Sequence, residues 1–179
     1  MLPDLIAFGH KMFDHDEIFD VVDVNNIVIS QASRSEVHKK GLMHRSVHIL
    51  VFNFHGDLFL QKRSMVKDEN PGLWDTAAAG HVGAGENYLH SAQRELKEEL
   101  GLNVSIKEVM RIPAQLNTLW EHVRVYECIT NHQIKINGLE ISEGRYWTLP
   151  ELTQSIESNP KIFTSTFHLI FNAYINIDK

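Results

Sequence analysis

The chain has 179 residues, 43% of them hydrophobic, and a formal net charge of −6 at pH 7, enough for one domain with a sizeable core. The acidic balance argues against nucleic-acid binding driven by long-range attraction, and leaves room for a local basic pocket that takes a phosphorylated small molecule. No apolar run reaches membrane-spanning length, no secretory pattern opens the chain, and the single cysteine, Cys128, has no internal partner, so a cytoplasmic protein is expected.

Residues 1–18 read as a lead-in segment and residues 19–179 as the domain. Residues 19–24 and 27–30 alternate as two strands across Asn25-Asn26, a pair that tolerates positive φ and predicts a tight hairpin. Ser33 and Glu36 form a capping box and Gly41 a stop, which predicts a short helix over residues 34–40. Residues 45–54 and 58–62 form a second hairpin around His55-Gly56-Asp57, followed by a loop that ends at Pro71-Gly72. Residues 75–82 are small and extended. Further strands are expected over residues 106–112, 123–129 and 144–148. Thr148 and Glu151 cap a helix that has Pro150 in its first turn, and Phe163, Phe167, Ile170, Phe171 and Tyr174 make the buried stripe of a C-terminal helix. Strands interleaved with a middle and a terminal helix predict an α/β/α sandwich around a mixed β-sheet. Cys128 reads as a small buried strand residue.

Residues 80–102 carry the chemistry. Gly80, Gly83 and Gly85 open the stretch and let backbone approach a ligand. A helix then follows, with Leu89, Ala92, Leu96 and Leu100 on its apolar face. Glu95, Glu98 and Glu99 fall at i, i+3 and i+4 and project from one side of consecutive turns. Like charges at that spacing repel by a few tenths of a kcal/mol per pair, and hard oxygen donors suit Mg²⁺ or Mn²⁺.

With Gly80, Glu86 and the run Arg94-Glu95-Leu96-Lys97-Glu98-Glu99-Leu100-Gly101-Leu102, the stretch resembles the Nudix box at every defined position. The resemblance implies hydrolysis of a diphosphate linkage, as in a nucleoside diphosphate derivative, by metal-assisted attack of water on phosphorus. It implies Glu95, Glu98, Glu99 and the Gly80 carbonyl as metal ligands, with Glu95, then Glu98, as the candidate base. Arg94 and Glu86 would pair and hold the glycine loop against the helix.

Upstream, His44-Arg45, Gln61-Lys62-Arg63, Lys67, Pro71-Gly72, Trp74 and Gly80-His81 resemble the Nudix branch that contains isopentenyl diphosphate isomerase. That resemblance implies Arg63 and Lys67 as diphosphate-binding cations and His44 and His81 as residues that help hold a metal. Two departures weigh against isomerisation. The position of the isomerase cysteine is Ala79, and the sequence Trp120-Glu121-His122-Val123 places His122 where a carboxylate is wanted. A hydrolase is therefore expected, acting on a small molecule as monomer or homodimer, with a non-catalytic nucleotide-binding domain as the competing class. Glu121, Glu140 and Glu143 read as loop carboxylates near the mouth, Trp120 could stack on a base or pack, and residues 115–122 and 131–138 read as substrate-gripping loops.

Overall fold

The computed structural model of the protein describes residues 17–176, so all but the last two positions of the expected lead-in segment lie outside the described residues. β1 (Ile18–Val22) runs antiparallel to β2 (Val28–Ser33). The turn between them is wider than the expected Asn25-Asn26 turn, because the Asp23 carboxylate accepts from the backbone N–H of both Asn25 and Ile27 (2.9 and 2.8 Å). α1 (Arg34–Lys40) has the predicted bounds: Ser33 accepts from the Glu36 N–H, and Gly41 ends the helix at φ 60°.

Seven strands make one mixed sheet. They are β3 (His44–Phe52), β4 (Leu58–Arg63), β5 (Trp74–Asp75), β6 (Ala78–His81), β7 (Lys107–Ile112), β8 (Glu121–Ile129) and β9 (Ile141–Trp147). Their order is β5-β4-β3-β8-β7, with β6 added on β3 and β9 on β4. Only β3 and β8 pair in parallel, with His44 opposite Glu121. Both strands are buried along most of their length, as a parallel pair requires.

Alternation along β3 divides the core. Val47, Ile49 and Val51 face α2 (Tyr88–Leu100), where they meet Ala92, Leu96 and Leu100. Leu50 and Phe52 face the other way, into a cluster with Leu152 of α3 (Leu149–Ser158) and Phe167, Ile170 and Phe171 of α4 (Ser165–Tyr174). The sheet is thus covered on both faces, the expected α/β/α arrangement. Phe163 belongs to the same core but precedes α4, whose cap is Thr164. Cys128 is buried in β8, and burial pushes its thiol up to about 11.

On α2 the apolar face is set by Tyr88, Ala92, Leu96 and Leu100, each one turn after the last. Leu89, expected on that face, is 45% exposed, because Tyr88 fills the position one turn before Ala92. Leu96 is 1% exposed and packs against the central strands. Leu96→Ala is expected to cost about 2–5 kcal/mol, read as a lower denaturant midpoint at unchanged slope.

Candidate metal and diphosphate site

Asn87 caps α2 by accepting from the His90 N–H, and Gly101 closes it at φ 66°. The glutamates therefore fall in its last two turns, beside β6. Glu95 lies against Gly80 so closely that a Cβ there would sit 2.2 Å from the Glu95 carboxyl carbon. Arg94 is the cation of the cluster. It donates to Glu95 (2.5 Å), to Glu86 (3.2 Å) and to the His81 carbonyl (3.2 Å), and lies 3.6 Å from Glu98. Glu86 also accepts from Ser91 Oγ (2.7 Å) and the Gly83 N–H (3.1 Å), which anchors the glycine loop.

The three glutamates do not share one solvated face. The Glu98 side chain is 42% exposed and that of Glu95 13%. Glu99, 5% exposed, is turned a further 100° under the sheet, where one oxygen accepts from Gln61 Nε2 (3.0 Å) and the Ala79 N–H (3.1 Å). Burial, reinforced by the charge of Glu95, pushes the Glu99 carboxyl up to about 8. Oxygen donors of this kind suit a hard divalent cation, but among the described residues Glu95, Glu98 and Glu99 do not form one of the groups whose ligand atoms lie within 4.8 Å of one another.

The candidate phosphate cations are placed differently. Lys67 reaches the glutamate site, pairing with Glu140 and acting electrostatically on Glu99. Arg63 turns inward: its Nε donates to the Glu69 carbonyl (3.0 Å) and its guanidinium lies 3.8 Å from buried Asp75. Glu140 is thus the partner of Lys67, and Glu143 lies 3.9 Å from Lys62 on the surface.

A second cluster occupies the far side of β6. His38, His44 and His81 have ring centroids 5.1–5.2 Å apart, and buried Phe19 stacks on His44 and His81. Glu121, expected in a loop, opens β8 and is 6% exposed, with His81 Nε2 at 3.2 Å and His44 Nε2 at 3.5 Å. Burial would raise its carboxyl, but the facing imidazoles outweigh that and hold it well below the usual range. Burial lowers His81 to about 4, so this ring stays neutral and stabilises Glu121 by hydrogen bonding rather than by full charge. The hydrogen bonds imply the tautomers. Arg34 donates toward His81 Nδ1 (3.3 Å), leaving Nε2–H for Glu121; His44 Nδ1–H meets the Leu42 carbonyl (2.9 Å). The Nε2 atoms of His44 and His38 are buried without a close hydrogen-bond partner, the former 3.5 Å from Glu121. Buried imidazole nitrogens gathered beside carboxylates make a donor set that fits a metal. Ligand atoms of His38, His44 and His81, and of Glu69, His81 and Glu121, lie within 4.8 Å of one another.

The sequence reading assigned no role to His38 or Glu69. The one signal was compositional, eleven histidines in the chain. His122 is buried and bonds the Asp23 carbonyl (3.0 Å), while Val123, opposite Ser46, shares the Glu121 face of β8. Ala79, opposite His48, shares that face on β6. Leu119 and Trp120 just before Glu121 take φ of 53° and 64°, strain of about 1–3 kcal/mol each at the edge of the cluster.

The NUDIX domain model matches residues 42–167, and the chain belongs to the Nudix family. An isopentenyl-diphosphate Delta-isomerase of Pectobacterium atrosepticum is 33% identical over 156 residues, 84% of this chain and 87% of that protein. An uncharacterized Nudix hydrolase of Pseudomonas aeruginosa is 36% identical over 147 residues, 80% of this chain and 85% of that one. Among solved structures, the crystal structure of DR0079 from Deinococcus radiodurans superposes with a TM-score of 0.72 at 26% identity, covering 80% of this chain and 90% of that one. The MutT protein of Methanosarcina mazei, at 20% identity and a TM-score of 0.59 over 73% of this chain and 94% of that one, shares the fold.

Two outcomes follow from the Glu99 environment. A cation bound by Glu99 competes with its proton, so Mg²⁺ affinity rises with pH by up to about tenfold per unit below pH ~8 and levels off above it. Calorimetry in buffers of different ionisation enthalpy would show proton release at pH 7. Gly80→Ala displaces the Glu95 carboxylate and is expected to weaken Mg²⁺ binding while the far-ultraviolet spectrum stays unchanged.

Proposed function

We propose that the protein is a divalent-metal-dependent hydrolase that cleaves the diphosphate linkage of a nucleoside diphosphate derivative or a similar phosphoanhydride, by attack of water on phosphorus. The observation that carries this reading is the placement of a buried Glu99 beside Glu95, with Glu98 at the surface and Lys67 near enough to act on Glu99. Glu95, Glu98 and Glu99, with the Gly80 carbonyl, would hold Mg²⁺ or Mn²⁺. Such an ion neutralises diphosphate charge and lowers the pKa of the attacking water.

The other roles belong to the chain itself. Lys67 lies beside Glu140 and acts on Glu99, and a charge-assisted bond from it to substrate phosphate would add orientation as well as affinity. Arg63 supports the same loop from beneath through the Glu69 carbonyl, and it compensates Asp75. Arg94 orients both candidate bases, donating to Glu95 at 2.5 Å and lying 3.6 Å from Glu98. With its charge of −6 the protein suits a small-molecule substrate rather than nucleic acid.

Isomerisation is the reading suggested by the Pectobacterium relative's name. Ala79 argues against it, because a methyl group cannot move a proton, and so does the lack of a carboxylate at His122 and at Val123, the two positions after Glu121. A binding-only domain would have no use for a base. Product analysis over a panel of nucleoside diphosphate derivatives, with and without metal, separates these readings. Metal-dependent release of a monophosphate supports hydrolysis; tight binding without turnover defeats it.

Glu98→Gln is expected to lower kcat by about a hundredfold or more with the fold intact, and unimpaired turnover would remove Glu98 from the site. Lys67→Ala should raise KM by roughly tenfold, the loss of one bond to a charged group. Arg63→Ala is expected to lower stability by on the order of 3 kcal/mol because Asp75 loses its cation, so melting and kinetics must be measured together.

A further inference from the structure

A cleft of about 500 Å³ lies between the first turn of α2 and strands β3, β7 and β8, and neither the three glutamates nor the clustered histidines line it. That volume suits a small molecule. The pairing of β3 with β8 places its cations. Arg45 stands two residues before Val47, and Arg124 lies opposite Val47 and two residues before Tyr126, so both arginines share the face that meets α2. There they lie over the Tyr88 ring, Arg124 at 4.1 Å and Arg45 at 5.7 Å from its centroid. The ring is held in place, because its hydroxyl accepts from Asn26 Nδ2 (2.9 Å) and donates to the His122 carbonyl (3.2 Å).

The two arginines are committed to different degrees. Arg45 is part of the wall: it donates twice to Asn26 (2.7 and 2.8 Å) and lies 3.6 Å from Asp20. Arg124 meets Glu108 at 3.3 Å. Glu108 has a second cation in Arg111 (2.5 Å), and Glu86, the other acid of the lining, has Arg94 (3.2 Å), so neither acid cancels the charge of Arg124 in full. Beside this pair the lining turns apolar, with Ile106 and the half-exposed Leu89. Two guanidinium groups match a doubly charged phosphate better than a singly charged carboxylate, and an aromatic and aliphatic wall next to them suits an apolar body.

We propose that this cleft is a second ligand site, which takes the phosphate monoester of a small aromatic or apolar molecule, with the phosphate on Arg124 and Arg45 and the body against Tyr88, Leu89 and Ile106. The site stands whether or not the glutamates serve a hydrolysis.

The probe is phenyl phosphate, titrated into the full chain with Mg²⁺ present and followed by NMR of backbone amides and arginine Nε–H groups, which report where it binds. Saturable shifts are expected at Asn26, Leu89 and Arg124. Arg124→Gln should weaken binding by about tenfold or more, the loss of a bond from a charged donor. Leu89→Glu, at an exposed position in the first turn of a helix where an acid is tolerated, should weaken it too with the fold intact. Lys67→Ala should leave these shifts and the affinity unchanged, which separates the cleft from the glutamate site. Shifts that never saturate, shifts confined to the glutamate site, or wild-type affinity in both cleft variants overturn the proposal. Benzoate bound as tightly as phenyl phosphate overturns the assignment to phosphate. None of these readouts depends on turnover, so failure of the cleft is distinguishable from failure of the hydrolase reading.

Discussion

The site depends on one unfavourable placement, a carboxyl group buried at the end of a helix. Glu99 stands in the last turn of α2, where the helix dipole already opposes negative charge, and Glu98 precedes it. Several parts of the fold offset that cost. Gln61 from β4 and the Ala79 N–H from β6 donate to it, burial raises its carboxyl toward the neutral form, and Lys67 acts on it electrostatically from the β4–β5 connection. Each donor comes from a different segment, so the carboxyl group ties the middle of the sheet to the end of the helix. The same cost makes the site responsive, because a cation can replace the proton and leave the hydrogen bonds in place.

The two clusters are joined through a four-residue strand. On β6, Gly80 leaves room for Glu95, while His81 sends its ring into the histidine cluster and its carbonyl to Arg94. Arg94 in turn holds Glu95 and Glu86. His81 and the glutamates are thus joined by two contacts through Arg94. Family membership leaves the reaction open, since relatives about equally similar carry isomerase and hydrolase names. The residues that distinguish the two readings lie on the histidine-cluster face, where β6 carries Ala79 and β8 carries Val123.

Legibility in the sequence followed the range of the interactions. α1 could be bounded because its start and stop, Ser33 and Gly41, are local chemistry. α2 was legible as a motif, yet the spacing of Glu95, Glu98 and Glu99 said nothing of how far each is buried, which depends on β4 and β6. Leu89 and Tyr88 differ by one position, and only packing decides which of them faces the core. Glu121 looked like a loop residue because two left-handed residues precede it, and the strand pairing that buries it is 77 residues away, at His44. His38 and Glu69 had no local signature, since their contact joins a surface helix to a connecting loop.

The parallel pairing of β3 with β8 has a consequence for how the site comes into being. His44 stands beside Glu121, and Ser46 and His48 follow on the same face opposite Val123 and Val125. A slip of one residue turns every side chain of a strand to the other face and sets Arg45 or His122 in that place. The histidine cluster therefore exists only in a correctly paired sheet. Because this pair joins distant segments, it is among the later and slower contacts to form. Assembly of the cluster and closure of the sheet are one event, and the polar end of β3 marks its register as surely as the apolar end does.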